Sequence, residues 1–327
     1  MGPVGVIEID DALSGDAGQT LAEDVREGLG RAQKELPPKH LYDSRGAALF
    51  DEICELEEYY PTRTERLILT RHSGEIAAVT GAAELVELGS GSAVKTRLLL
   101  DAMSAAGTLE RYVPVDVTER VVRESAAELT VAYPGMRVHG LIGDFLRHLD
   151  RLPKPVEPRL LAFIGGTIGN FRPHERQDLL RAMARELGPG GHVLLGTDLV
   201  KDRALLHAAY NDARGISAEF NRNILLVINR ELGAHFDPEA FDYGASFDED
   251  HEWIDMRLRS RAAQDVEVPA IDMLVHLDAG EEIRTGISAK FTRERAWGDL
   301  RAAGLEPVAW YTDPQEWFAL TLARAAA

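Results

Sequence analysis

Cysteine occurs once in the 327 residues, as Cys54, so the chain can form neither an internal disulfide nor a cysteine-rich zinc site. Aromatic residues are sparse, at 7%, and no apolar run is long enough to span a bilayer. Basic residues are outnumbered, 36 against 54 acidic, which gives a net charge of −18 with no basic cluster. That balance argues against a nucleic-acid partner, whose phosphates are neutralised mostly by Lys and Arg, and against an anionic membrane surface. The acidity is read as a solubility feature. The ten histidines show no ligand spacing such as His-X-X-X-His, so no metal is expected. A Gly-X-Ser-X-Gly elbow is also missing, which removes the usual nucleophilic triad. Residues 1–30 carry several acids and no apolar segment, so no signal peptide is expected and the protein is read as cytoplasmic. The expected partner is a small molecule, and the chain is read as a monomer.

What is present is ample apolar material: 45% of residues are hydrophobic and 28% charged, enough for one large domain or two smaller ones. The most informative stretch is Val86-Glu87-Leu88-Gly89-Ser90-Gly91-Ser92, an apolar strand running into a Gly-X-Gly turn. Val94, Leu98, Leu99, Leu100 and Met103 follow at helical spacing. Strand, glycine turn and helix let the backbone approach a ligand at a helix N-terminus, where free N–H groups point outward. The third glycine of the dinucleotide fingerprint is absent, which favours S-adenosylmethionine over NAD. A tight turn that binds nothing is the plain alternative.

Organisation follows from the same periodicities. Residues 1–20 read as a loosely held arm, and Leu21 to Arg31 as a helix stopped by Leu36-Pro37-Pro38. A helix is expected from Thr64 towards Ile76. Strands at Tyr112–Val117, Arg137–Gly140, Arg159–Gly165 and Gly191–Thr197 alternate with helices at Glu119–Ala132 and Pro173–Leu187. Repeated βα units specify an α/β fold, a doubly wound, mostly parallel sheet with helices on both faces. After Leu199 the pattern changes to a separate α+β lobe. Helices are expected at Ala204–Tyr210 and Ile216–Asn229, a strand at Trp253–Ser260, then Val266–Leu277 with a return at Ala279-Gly280. Core-like pattern resumes with a helix at Thr292–Ala303 and a terminal hairpin at Pro307–Tyr311 and Trp317–Ala323, as class I (Rossmann-like) methyltransferases carry.

In open parallel sheets ligands lie beyond the carboxyl ends of the strands, where strand order reverses. Asp116 ends the second strand, where a carboxylate takes up a ribose diol; an N-cap role is the alternative. Asp144 and Phe145 end the third and suit an adenine, or else form a turn with a core ring. Lys95 lies in the first turn of the helix after the glycine loop, an unfavourable place for a cation unless it meets a carboxylate. The loop Gly165-Gly166-Thr167-Ile168-Gly169-Asn170 offers an amide that both donates and accepts. Amine methylation from a sulfonium needs positioning and desolvation more than a strong base, and an amide suits that task.

At these residues the chain resembles a family, the hercynine-forming histidine Nα-methyltransferases of ergothioneine biosynthesis. The resemblance rests on Leu36-Pro37-Pro38-Lys39, Leu41-Tyr42-Asp43, the run Glu58 to Glu65, Val86 to Gly91, Gly166 to Asn170, Gly196 to Asp202 and Phe220-Asn221-Arg222-Asn223. It runs in order from about Leu21 to the C-terminus. It implies a methyltransferase core at residues 64–200 and 291–327, and a substrate-binding lobe at 9–63 and 201–290. By resemblance Tyr42, Gly89, Lys95, Asp116, Asp144 and Phe145 contact S-adenosylmethionine. Tyr59, Asn170 and Tyr210 grip the amino and carboxylate groups of an amino acid, and Tyr59 and Asn170 carry catalysis. Gly165 belongs to the same substrate site, Phe50 and Met256 line the pocket, and Ser288 reaches the side chain. The implied product is a betaine, hercynine, formed by trimethylation of L-histidine.

One departure matters. The family's usual imidazole-binding glutamate is replaced by Gly286, in Arg284-Thr285-Gly286-Ile287-Ser288. Losing that acceptor forfeits a charge-assisted hydrogen bond of roughly 1.5–3 kcal/mol. Either water or a neighbour such as Glu282 takes over and histidine remains the substrate, or the vacated volume admits a larger aromatic amino acid such as tryptophan. A nicotinamide oxidoreductase and a non-catalytic S-adenosylmethionine sensor are the readings from other classes.

Overall fold

A computed structural model describes residues 6–13, 21–91 and 93–326. Most of the expected amino-terminal arm, and Ser92 of the glycine turn, lie outside the described residues. The chain divides into two compact units. The first holds the described residues before position 15, Pro61–Val200 and the chain from Phe291; the second holds the described residues from Leu21 to Tyr60 and Lys201–Lys290.

The first unit is built on an eight-stranded sheet. Its spatial order is Ile7–Asp11, Arg137–Ile142, Arg111–Asp116, Glu84–Leu88, Arg159–Phe163, His192–Asp198, Phe318–Ala325 and Leu305–Thr312. The first six strands run parallel; Phe318–Ala325 is antiparallel to both of its neighbours. Strands buried on both faces read as continuous apolar runs, and Arg159–Phe163 is buried at every position. The helix Glu119–Ala132 buries Val122, Ala126 and Leu129, one stripe at helical spacing. Strand order reverses beside Glu84–Leu88, whose chain successors go first to one side and then to the other. Glycine loops follow at the carboxyl ends of this strand and of Arg159–Phe163, on either side of the reversal.

Two charges are buried at the opposite end of that central strand. Glu84 and Arg159 are fully buried and paired, and Arg111 joins the same carboxylate. Arg159 also donates to the Glu186 and Pro153 carbonyls at 2.7 and 2.6 Å. A buried ion pair is tolerable only when its remaining donors are satisfied, and here they are.

Ile7–Asp11 corrects the sequence reading, which assigned residues from 9 onward to the lobe. This segment pairs with Arg137–Ile142 as an edge strand, Ile9 opposite Gly140. The helix expected from Thr64 begins earlier, at Tyr60, and runs to Thr80.

The second unit has a four-stranded sheet ordered Lys34–Glu35, Glu282–Ala289, Trp253–Ser260 and Phe241–Asp248. The helix Ile216–Leu232 contributes Phe220, Ile224 and Ile228 to a core shared with Phe241, Leu258 and Ile283. Leu21–Gly30 is helical as expected. A helix the sequence reading missed, Ser44–Cys54, is capped by Asp43, which accepts from the Gly46 amide at 2.8 Å. Gly46 is required by close approach: a Cβ there would fall 1.6 Å from the Leu41 carbonyl oxygen. The expected segment Val266–Leu277 proves to be a two-stranded hairpin, Gln264–Val268 against Met273–Leu277. Among the described residues no helix is long and apolar enough to cross a membrane.

Candidate active site

In the first unit the expected ligand-facing residues gather at the carboxyl edge of the sheet. Gly89 has φ +68° and Gly91 φ +48°, a conformation that favours glycine. The Gly89 amide donates to the Val115 carbonyl at 2.8 Å, tying the turn to the neighbouring strand. Asp116 receives the Gly91 amide at 3.1 Å and the Thr118 amide at 2.9 Å. Its carboxylate is therefore fixed beside the glycine turn; the N-cap of the following helix is Thr118, so the cap reading of Asp116 does not hold. A Cβ on Gly89 would touch the Phe145 ring at 3.9 Å, so the third strand's end meets the glycine turn directly. The Phe145 ring packs edge-on against Phe163, centroids 5.2 Å apart. Asp144 is buried and accepts from the Leu146 amide at 2.9 Å.

Sequence reasoning missed Glu65. This fully buried carboxylate accepts from the Gly165 amide at 2.7 Å and pairs with Lys95. Lys95 is the N-cap of the helix Thr96–Ala105 rather than a residue of its first turn, and the pairing explains how a cation is tolerated there. Gly196 makes room for it, since a Cβ there would come 2.6 Å from Glu65 Oε1. Lys95 Nζ in turn lies 3.7 Å from where a Cβ on Gly165 would stand, so the two glycine loops are bridged by one ion pair. Gly165 and Gly166, at φ +83° and +68°, lead into a short 3₁₀ turn from Thr167 to Asn170. Asn170 is half-buried at its end.

Beneath the glycine turn sits a second buried carboxylate. Glu87 accepts from Thr96 Oγ1 and from the Tyr112 hydroxyl, each at 2.6 Å. Burial pushes its carboxyl up to about 7, while those bonds and the Lys95 charge pull the other way. Burial and the adjacent carboxylate also push the Tyr112 phenol far up, so it stays a donor.

The remaining expected residues belong to the second unit. Tyr42 lies edge-on to Phe50 and Phe220, with centroids 5.5 and 5.3 Å away. Phe50 approaches Tyr59 at 6.2 Å, and Tyr59 approaches Tyr210 at 6.2 Å, so a file of rings joins these positions. Tyr210 ends the helix Arg203–Tyr210, and its carbonyl accepts from the Tyr243 hydroxyl at 2.9 Å. Next to it, Asn211 exchanges two hydrogen bonds with Ala245, at 2.9 and 3.0 Å, which locks the helix end to the sheet.

Two expectations about Gly286 meet the structure here. Glu282 cannot stand in for the missing carboxylate: it is taken up by Arg257 and Arg259, each at 2.7 Å. It also lies four residues back along the strand, about 13 Å away. Nor is the vacated space open at its first carbon, because the Met256 methyl lies 3.2 Å from the point a Cβ on Gly286 would occupy. That neighbour is the free end of a flexible thioether and can shift. Asp255 is likewise committed: burial alone would raise its carboxyl, but Arg284 and Arg257 hold it below the ordinary range.

Ser288 meets Tyr210, the two hydroxyl oxygens 2.8 Å apart. A residue the sequence reading did not name completes this corner. Lys290, fully buried, donates to both hydroxyls at 2.8 Å. Its signal was present in the sequence, since Gly286, Ser288 and Lys290 alternate onto one face of the strand.

A doubly wound sheet closed by an antiparallel hairpin, with a glycine turn at its switch point, defines a class I methyltransferase. The described fold and the family match agree. The chain belongs to the histidine-specific, SAM-dependent methyltransferases, whose family model matches residues 21–325. It is 50% identical over 307 residues to the histidine N-alpha-methyltransferase of Mycolicibacterium smegmatis, covering 94% of this chain and 95% of that protein. Identity to the histidine N-alpha-methyltransferase of Mycobacterium tuberculosis is 46% over 318 residues, 97% of this chain and 99% of the other. The ergothioneine biosynthesis protein 1 of Neurospora crassa is 35% identical over 204 residues, 61% of this chain and 23% of that protein.

Proposed function

We propose that this enzyme methylates the α-amine of free L-histidine, up to the trimethylated betaine hercynine, as a step of ergothioneine biosynthesis. The observation that carries this reading is the end-to-end likeness, at about half identity, to histidine N-alpha-methyltransferases. The site chemistry supports it. Gly89, Asp116, Asp144 and Phe145 suit S-adenosylmethionine: a glycine cradle with two anchored carboxylates, one beside an aromatic face, matches a ribose diol and an adenine amine. Lys95, and by resemblance Tyr42, complete that set. S-adenosylmethionine supplies an activated methyl group when bound.

The protein's own task is then to orient an amine. Asn170, Tyr59 and Tyr210 are the residues for the amino and carboxylate groups: the Asn170 amide and the Tyr59 hydroxyl are able to donate and accept without taking a full charge, and the Tyr210 oxygen is able to accept. Gly165 shapes the Asn170 loop, Phe50 and Met256 supply apolar walls, and Gly286 and Ser288 face the side chain. Histidine is favoured over tryptophan by the likeness to the histidine N-alpha-methyltransferases. Incubation with S-adenosylmethionine and an equal mixture of the twenty amino acids, read by mass spectrometry, tests the proposal. Successive methyl increments on histidine are expected. Their absence on histidine, or their appearance on another amino acid alone, overturns it.

A further inference from the structure

The triangle formed by Lys290, Tyr210 and Ser288 has all three sides at 2.8 Å. An ammonium group donates and cannot accept, so Lys290 fills one lone pair on each hydroxyl oxygen. One hydroxyl must then donate to the other across the third side. At 2.8 Å either oxygen is placed to donate, and we infer that the phenol, the more acidic of the two, gives its proton to the serine. Both lone pairs of Ser288 Oγ are thereby used, by Lys290 and Tyr210, and its one hydrogen is left to point elsewhere. A bare serine can donate or accept; this one is left able only to donate.

We propose that Lys290 is a specificity-determining residue that turns Ser288 into an obligate hydrogen-bond donor. The side-chain site then selects an amino acid whose ring presents an accepting nitrogen. This inference rests on the reading of Ser288 as facing the substrate side chain. Neutral imidazole offers one accepting nitrogen; the indole of tryptophan offers only a donor. With no carboxylate at position 286, and Glu282 and Asp255 committed to arginines, these three positions give an indole N–H no carboxylate to meet. The donor at Ser288 would face another donor. The substituted glycine removed one contact to histidine, and the lysine retains the discrimination.

The geometry is held firmly enough for this to matter. Tyr210 is anchored by Tyr243 and by the Asn211–Ala245 pair, and Lys290 Nζ also lies 4.6 Å from the Tyr210 ring centroid. Donor placement therefore does not depend on a rotating surface hydroxyl.

The test uses the full-length enzyme with S-adenosylmethionine, comparing wild type, Lys290→Met and Ser288→Ala on histidine and on tryptophan. In Lys290→Met a lone pair on Ser288 is released, so kcat/KM for histidine should fall about tenfold or more through KM, while that for tryptophan does not fall. Ser288→Ala, a small change that keeps Lys290 bonded to Tyr210, should likewise lower only histidine use. Calorimetry with S-adenosylhomocysteine should give affinities within about twofold of wild type. Parallel losses on both amino acids in both variants, or an unchanged ratio, overturn the assignment. If Lys290→Met fails to fold, Lys290→Gln takes its place with the same expected fall on histidine, since Ser288→Ala by itself tests only the placement of Ser288. A wild-type enzyme that leaves histidine unmethylated sinks the functional reading itself; a wild-type enzyme that methylates it, with an unmoved ratio in the variants, sinks only the role of Lys290.

Discussion

The Met256 methyl stands 3.2 Å from the place where a side chain on Gly286 would begin. That contact is tighter than ordinary van der Waals packing, yet the neighbour is the free end of a thioether and can yield. Gly286→Glu should therefore fold and restore an acceptor for an imidazole N–H. Histidine use should rise relative to tryptophan by roughly tenfold or more, the equivalent of one charge-assisted hydrogen bond of about 1.5–3 kcal/mol. The measurement is the ratio of kcat/KM for the two amino acids; no change in it refutes control by this position.

The Glu65–Lys95 pair predicts a coupled effect on stability. Glu65→Gln keeps an oxygen for the Gly165 amide but removes the buried negative charge that faces the Lys95 ammonium. Breaking a buried pair from one side typically destabilises by roughly 3–5 kcal/mol, and partial exposure of Lys95 places this case toward the lower end. Adding Lys95→Met should recover at least half of the loss in calorimetric unfolding. Additive losses in the double variant would show that the pair is not the source.

Glu87 predicts a pH dependence of fixed sign. Its carboxyl is raised from 4.5 to about 7 by burial, so between those values the folded state holds a proton that the unfolded state releases. The contribution of Glu87 to stability is present at low pH and is lost as pH rises through about 7. Glu87→Gln cannot titrate, so its stability relative to wild type should climb from pH 5 to pH 8, by about 3 kcal/mol at most. Denaturant unfolding at several pH values checks this. A difference that stays flat, or runs the other way, contradicts it.

Asn170 predicts a separation of binding steps. Asn170→Ala removes the amide assigned to the amino acid while leaving the glycine turn, Asp116 and Asp144 intact. The KM for histidine should rise about tenfold or more, with S-adenosylhomocysteine affinity within about twofold of wild type. Equal losses in both would place the residue elsewhere in the reaction.

The parallel sheet was legible because its strands are buried on both faces and leave uninterrupted apolar runs between helical stripes. Glu119–Ala132 and Trp253–Ser260 have the bounds their periodicity gives. Other elements were hidden for physical reasons. In Phe241–Asp248 the run Gly244-Ala245-Ser246 weakens the alternation a strand is known by. In Glu282–Ala289 a register shift between Arg284 and Gly286 breaks the two-residue period, and Thr285 turns its hydroxyl to Asn221 at 2.6 Å. Glu65 looked like any polar residue of a long helix, because burial of a carboxylate is decided by partners distant in sequence. Here those partners are Lys95 and Gly165. The glycine turn, Asp116 and Asp144 were readable from strand ends; Lys290 was placeable on the face of Gly286 and Ser288 by alternation, but its bond to Tyr210 was not.

Where the chain leaves the large sheet for Lys201–Lys290 and where it comes back are held side by side. Leu199 bridges Phe291, the Val200 amide donates to the Phe291 carbonyl at 3.0 Å, and the Phe291 amide donates to Asp198 at 2.8 Å. The excursion is thus closed at its base by the parent sheet. A loop pinned in this way can lengthen, shorten or change its residues with little penalty to the strands that anchor it.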